Sequence, residues 1–217
     1  MKKILTIATI VLFGLSVKAQ DSGQGLKGAW FATSQFGYQQ TKTSDAKGTN
    51  LSVLPIVGTF ITPSVAVGAG IGYINIKSDG YDKADIDKTN LKTLAKTDLI
   101  VIQPLARKYW NVAGSLYFFG QLALPVITGK EKESNLKINQ VGLSVSGGFD
   151  YFVTKNFSVE FSYDLANFTS TTLKPENGEK TTVTNFGLAH MANVDSAYLV
   201  GGSNLTSPLA VGFKFVF

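Results

Sequence analysis

The chain has 217 residues and a net charge of +5; 44% of its residues are hydrophobic, 16% are charged, and none is cysteine. The missing cysteines exclude disulfides, thiolate metal sites and cysteine nucleophiles. Three of the five excess positive charges, on Lys2, Lys3 and Lys18, lie in an N-terminal leader, and the remaining +2 is too small for a nucleic-acid binder.

The leader opens the chain. Lys2 and Lys3 precede an apolar run from Ile4 to Val17, and Val17-Lys18-Ala19 resembles a signal-peptidase site, with Gln20 as the new N-terminus. The run is shorter than the roughly 20 apolar residues of a spanning helix. Residues 1–19 are therefore expected to be a signal peptide cleaved after Ala19. No cysteine follows to carry a lipid anchor, and residues 20–217 are expected to form one domain.

No later apolar run is long enough for a spanning helix, although glycine (22 residues) and aromatics (12%) are abundant. A chain of this kind crosses a membrane only as strands of a closed barrel, because lipid offers no partner for backbone polar groups.

Period-2 alternation predicts strands near 28–41, 49–61, 65–73, 97–108, 115–127, 141–153, 157–165 and 209–217. The stretch 49–61 is apolar on both faces around Pro55. In 65–73, Val65, Val67, Ala69, Ile71 and Tyr73 share the outer face. Ala66, Gly68, Gly70 and Gly72 face inward, where a narrow barrel has little room. This glycine run has the wrong spacing for a dinucleotide loop, and no helix pattern follows it. In 157–165, Phe157, Val159, Phe161, Tyr163 and Leu165 alternate with Ser158, Glu160, Ser162 and Asp164.

Short connections at 62–64, 109–114 and 154–156 alternate with long polar ones at 42–48, 78–96, 128–139 and 170–206. An up-and-down barrel with periplasmic termini predicts that order. Trp30, Tyr109, Trp110, Phe152 and Phe157 are expected to form an aromatic girdle at the short-turn rim. The fold class is all-β: an up-and-down antiparallel transmembrane β-barrel of eight strands. The long segment 170–206 leaves room for an extra external hairpin or for ten strands.

Three stretches carry a family resemblance. They are LPIVGTFITPSVAVGAGIGY (54–73), VIQPLARKYW (101–110), and the pair GGFDYFVTKNFSVEFSYDL (147–165) and LAVGFKFVF (209–217). With them the chain resembles the small outer-membrane β-barrels of OmpA/OmpX type, and the leader ending Ala-Gln resembles those of Bacteroidetes. The resemblance implies a Gram-negative outer-membrane location and contact with outer-membrane lipid and lipopolysaccharide. It also implies that the assembly machinery reads Phe213, Phe215 and Phe217 on the terminal strand. No further domain is expected after Phe217, and a closed barrel has no free edge demanding a partner, so a monomer is expected.

An eight-stranded barrel is just wide enough to be filled by side chains. The inward positions are expected to include Gln103, Arg107, Gln121, Asp150, Glu160, Asp164 and Lys214. Arg107 is the only arginine, and charges buried there must be paired. The reading is an ion-pair network in which Arg107 bridges to Asp150 or Glu160 and Lys214 closes the seam. The functional alternative is a gate opened by re-pairing those charges.

The sole histidine, His190, suggests a lipid A-modifying barrel esterase as an enzymatic alternative. The deacylase type places a serine two residues after the histidine, and Ala192 stands there; Ser196 and Ser203 have no marked relation to it. The acids Asp79, Asp82, Asp85 and Asp87 lack calcium-loop spacing and read as a solvated loop. No cofactor or metal site is indicated. The leading expectation is a non-enzymatic barrel with an envelope-structural or surface-contact role, ahead of a narrow porin-like channel. A lipocalin-type soluble barrel is disfavoured, because the acids lie on the inner face and the apolar residues outside.

Overall fold

The computed structural model describes residues 26–43, 46–79, 96–176, 178–188 and 209–217. Among these residues, ten strands form one antiparallel sheet: β1 (Trp30–Thr43), β2 (Ala46–Phe60), β3 (Val65–Asp79), β4 (Lys96–Ala113), β5 (Leu116–Ala123), β6 (Val126–Glu131), β7 (Lys137–Phe152), β8 (Phe157–Lys174), β9 (Thr181–Leu188) and β10 (Leu209–Val216). Because β10 pairs with both β8 and β1, the sheet closes on itself. The ring has eight positions, and two of them hold two strands end to end.

The first divided position is β5 and β6, both lying between β4 and β7. The register runs through without a slip, from Leu105↔Ala123 to Ile102↔Val126. The gap is a proline effect. The Leu124 amide donates to the Pro104 carbonyl (3.0 Å) and the Gly142 amide to the Pro125 carbonyl (2.8 Å), but neither proline has an N–H to return. Pro55 acts likewise on β2, whose register with β3 skips from Val53↔Tyr73 to Ile56↔Gly70.

The second divided position is β9 and β10, which follow one another along the same edge of β8. Leu188 lies opposite Ala166, and Leu209 opposite Tyr163. The expected external hairpin is thus present as the upper half of β8 with β9. Residues 189–208 lie outside the described residues.

Several expected connections are shorter than the sequence reading. Strand extends through 128–131 and 137–139, leaving a turn over residues 132–136, and the expected 42–48 connection shrinks to residues 44–45. At the other end β4 continues to Ala113, so only residues 114–115 turn, where Gly114 adopts φ 51° and its carbonyl accepts from Asn111 Nδ2 (2.9 Å). The turn at 61–64 is fixed by Thr62 Oγ1, which accepts from the amides of Ser64 and Val65.

Alternation sets the two faces. Ile71, Ile100, Ile102, Val126, Val141, Phe149, Phe161, Phe168, Val211 and Phe213 are exposed on the outside. So continuous an apolar belt has its explanation in lipid contact. On β8 the inward parity changes at Leu165. Ser146 lies opposite Asp164 and Val145 opposite Ala166, so Leu165 is an extra, outward residue of a bulge. Glu160 is therefore inward below it, and Asn167, Thr169 and Thr171 are inward above.

The interior has two apolar layers. Phe31, Phe60, Tyr109 and Phe119 fill the short-turn end; Leu99, Val101, Ile127, Ile138 and Leu173 fill the other. The glycine run makes room as expected: a Cβ on Gly70 would lie 2.9 Å from Leu54 Cδ1. Two residues expected in the outer girdle lie elsewhere. Tyr109 is only 3% exposed and belongs to the interior layer, and Phe152 packs partly buried against it. Trp30 and Trp110, at 51% and 48% exposed, do lie on the outer rim.

Candidate functional site

Directly above the aromatic layer lies a layer of charge. Arg107 on β4, Asp150 on β7, Glu160 on β8 and Lys214 on β10 are all buried. Each sits on the inward parity of its strand. The register brings them to one level: Arg107 opposite Gln121, Asp150 opposite Glu160, and Lys214 flanked by Ser158 and Thr33.

The guanidinium of Arg107 crosses the lumen to Glu160 in a two-pronged contact, Nη1 to Oε2 at 2.6 Å and Nη2 to Oε1 at 3.2 Å. Its Nε donates to Gln121 Oε1 at 2.5 Å. Thr33 Oγ1 donates to Glu160 Oε1 from the far side at 3.4 Å. Lys214 Nζ pairs with Asp150 Oδ2, and both side chains are 0% exposed.

Tyr109 joins the two pairs. Its hydroxyl accepts from Arg107 Nη1 (3.5 Å) and from Lys214 Nζ (3.3 Å). The cations also rest on aromatic faces: the Arg107 guanidinium carbon lies 4.7 Å from the Phe119 centroid, and Lys214 Nζ lies 4.8 Å from Tyr109 and 5.1 Å from Phe152. Two positive and two negative groups sum to zero, so the quartet is internally neutral. Fixed geometry in low dielectric makes such a network rigid when satisfied and costly when broken.

Below the quartet the aromatic rings form a chain. Phe31 meets Phe60 at 5.9 Å, Phe60 meets Tyr109 at 5.3 Å, and Tyr109 meets Phe119 at 5.8 Å. Rings and ion pairs together span the lumen at the short-turn end.

Of the sequence-predicted residues, Gln121, Arg107, Asp150, Glu160 and Lys214 lie in this layer. Gln103 is buried two inward steps higher on β4, beyond Leu105, and Asp164 is half-buried two steps above Glu160, opposite Ser146. The pairing is resolved: Arg107 takes Glu160, and Lys214 takes Asp150. Thr33 and Phe119 carry no such mark in the sequence, and Tyr109 and Phe152 were expected on the outer girdle, not in the lumen. Tyr109 was accessible to the pattern, since it lies two residues from Arg107 on the same face.

Phe213 and Phe215 face outward on β10, where Phe157 packs on both, at 6.0 and 5.0 Å. Phe217 exchanges two backbone hydrogen bonds with Trp30, which ties the two ends of the barrel together. His190, Ser196, Ser203, Asp82, Asp85 and Asp87 lie outside the described residues.

The sequence profile of the family described as outer membrane protein beta-barrel domain matches residues 5–191. Among solved structures, the outer membrane protein OprG from Pseudomonas aeruginosa is 14% identical, with 91% of this chain and 99% of that chain covered and a TM-score of 0.50. Neisserial surface protein A (NspA) is 15% identical, with 88% of this chain and 100% of that chain covered and a TM-score of 0.44. No curated protein sequence matches. At such identities the likeness to OprG is one of fold.

Proposed function

The chain belongs to the outer membrane protein β-barrel family, and on that premise we propose that it is a non-enzymatic barrel with an envelope-structural or surface-contact role and a closed lumen. The observation that carries this reading is the neutral quartet of Arg107, Glu160, Lys214 and Asp150 seated on the Phe31, Phe60, Tyr109 and Phe119 layer. A conducting path needs polar groups that water can reach. Here the charges satisfy one another across the lumen, and the rings beneath them leave only apolar surface.

We also propose export through the leader 1–19, assembly through the terminal strand bearing Phe213, Phe215 and Phe217, and a monomeric state. The test is conductance of the purified, refolded protein in a planar bilayer. Inserted protein that stays silent agrees with a closed lumen. Stable openings that scale with salt would overturn it and favour the narrow channel, with the quartet as its gate.

A further inference from the structure

The outer rim away from the short turns carries an arrangement that neither the fold nor the quartet requires. Lys77 on β3 lies directly opposite Lys96 on β4; Lys130 on β6 lies opposite Lys137 on β7; and Lys137 in turn lies opposite Lys174 on β8. Lys132 joins the row through its amide, which donates to the Lys96 carbonyl (2.8 Å). All six side chains are exposed on the outside of the barrel. Directly opposed like charges, with Cβ atoms about 5 Å apart, destabilise a sheet. Two of the six are compensated, Lys96 by Glu133 (2.8 Å) and Lys132 by Asp98. Among the described residues, Lys137 and Lys174 pair with no carboxylate, and Lys130, although opposite Asp98 on β4, finds that carboxylate held by Lys132, Tyr73 and Asn75.

The height of the row indicates what compensates it. Each strand passes from its lysine to the lipid-facing belt within four to six residues: Lys96 to Ile100, Lys130 to Val126, Lys137 to Val141, Lys174 to Phe168. The ammonium groups therefore project sideways at the level of the headgroups rather than up into solvent. At the opposite rim, among the described residues, no two lysines face each other across a strand pair. There Trp30 and Trp110 are exposed, and Lys108 Nζ donates to Ser64 Oγ at 2.7 Å. Five adjacent strands at about 4.8 Å spacing make the row roughly 19 Å wide, which is broader than one small anion needs.

We propose that Lys130, Lys137 and Lys174, flanked by Lys77, Lys96 and Lys132, bind the phosphate groups of lipids in the surrounding leaflet. This rests on the membrane placement of the barrel, not on whether its lumen conducts. Lipid phosphates supply at a fixed depth the anions that the opposed lysines lack, while the acyl chains lie on the belt below. Snorkelling lysine stems bridge the two levels.

The test uses refolded protein in phosphatidylcholine nanodiscs, with and without a minor fraction of phosphatidic acid as the phosphomonoester lipid. Retention of phosphatidic acid is read by native mass spectrometry and stability by thermal unfolding. The Lys130→Gln/Lys137→Gln/Lys174→Gln variant is expected to retain phosphatidic acid about a hundredfold more weakly, at roughly fivefold per lysine. In pure phosphatidylcholine it is expected to unfold at or above the wild-type temperature, because three like charges are gone; this shows separately that the variant folds. Phosphatidic acid should raise the unfolding temperature of the wild type and not that of the variant. Equal retention by both proteins, or equal retention of diacylglycerol and phosphatidic acid, would overturn the proposal. So would a stabilisation reproduced in full by inorganic phosphate at the same concentration.

Discussion

Arg107 on β4 and Glu160 on β8 form a two-pronged ion pair across the lumen, although two ring positions, held by β5 with β6 and by β7, separate their strands. The bond is a chord of the barrel, not a link between neighbours. Removing one end leaves the other charge buried without its partner. Arg107→Ala is expected to destabilise the barrel by about 3–5 kcal/mol, measured by urea unfolding in detergent micelles. The double variant Arg107→Ala/Glu160→Ala should recover a large part of that loss, because no orphan charge remains. Unchanged stability in the single variant would remove the network from the account of the fold.

The second pair is expected to be the more sensitive of the two. Lys214 donates to Asp150 Oδ2, while Asp150 Oδ1 has no hydrogen-bond partner among the described residues. Glu160, by contrast, retains Thr33 when Arg107 is lost. Lys214→Met should therefore cost at least as much as Arg107→Ala, and Lys214→Met/Asp150→Leu should approach wild-type stability, since an apolar pair of similar volume replaces a buried ion pair at little loss. Urea midpoints of the four proteins decide the order. A double variant less stable than Lys214→Met alone would contradict it.

Closure of the lumen is layered, and this separates conductance from the charges. Arg107→Ala removes the chord but leaves Phe31, Phe60, Tyr109 and Phe119 below it, so planar-bilayer recordings are expected to stay silent. Adding Phe60→Ala and Tyr109→Ala removes two adjacent rings of the chain, 5.3 Å apart, and should produce salt-dependent openings. Openings from Arg107→Ala alone would make the quartet the sole barrier.

The membrane-level half of this architecture was legible because lipid imposes one sign of polarity on alternate residues. Arg107, Asp150, Glu160 and Lys214 could be placed inward from parity alone. Their pairing could not, because Asp150 and Glu160 lie opposite each other in register and both are within reach of a cation crossing the lumen. Beyond the lipid that signal fails. Thr128, Lys130, Lys137 and Asn139 face outward and are polar, so continuous strand there reads as a connection. The bulge at Leu165 is illegible for another reason: one extra apolar residue extends an alternating run and shifts the parity only afterwards. Tyr109 was misplaced because an aromatic at a rim has two uses, and its partner Trp110 takes the outer one.

Gly212 lies on β10 directly opposite Glu160. A Cβ there would approach Glu160 Cγ at 2.9 Å and Oε1 at 3.0 Å. The carboxylate would have to shift, and its bonds to Arg107 and Thr33 fix where it can go. Gly212→Ala is expected to cost about 1–3 kcal/mol through overpacking. In a Glu160→Ala background the same change should cost markedly less, because the obstructing atoms are gone. Additive losses in that double-mutant cycle would mean that Gly212 matters for the backbone alone.

Among the described residues, the pairing is shortest where the ring closes. β1 pairs with β2 over its whole length, Trp30 to Thr43, but its described register with β10 covers only Phe31 to Ser34. The reciprocal bonds between Trp30 and Phe217, at 2.7 and 2.8 Å, extend that seam by one more pair. Deleting Phe217 removes both bonds and is expected to destabilise the barrel by about 1–3 kcal/mol, at 0.5–1.5 for each. Hydrogen exchange should then rise first on β10 and the start of β1, with the β7–β8 hairpin still protected. An increase spread evenly over all strands would mean that the barrel opens as a single unit and that the seam is no weaker than the rest. Because the same strand carries the proposed assembly signal, the measurement is made on refolded protein, where slow delivery to the membrane cannot be mistaken for a weak seam.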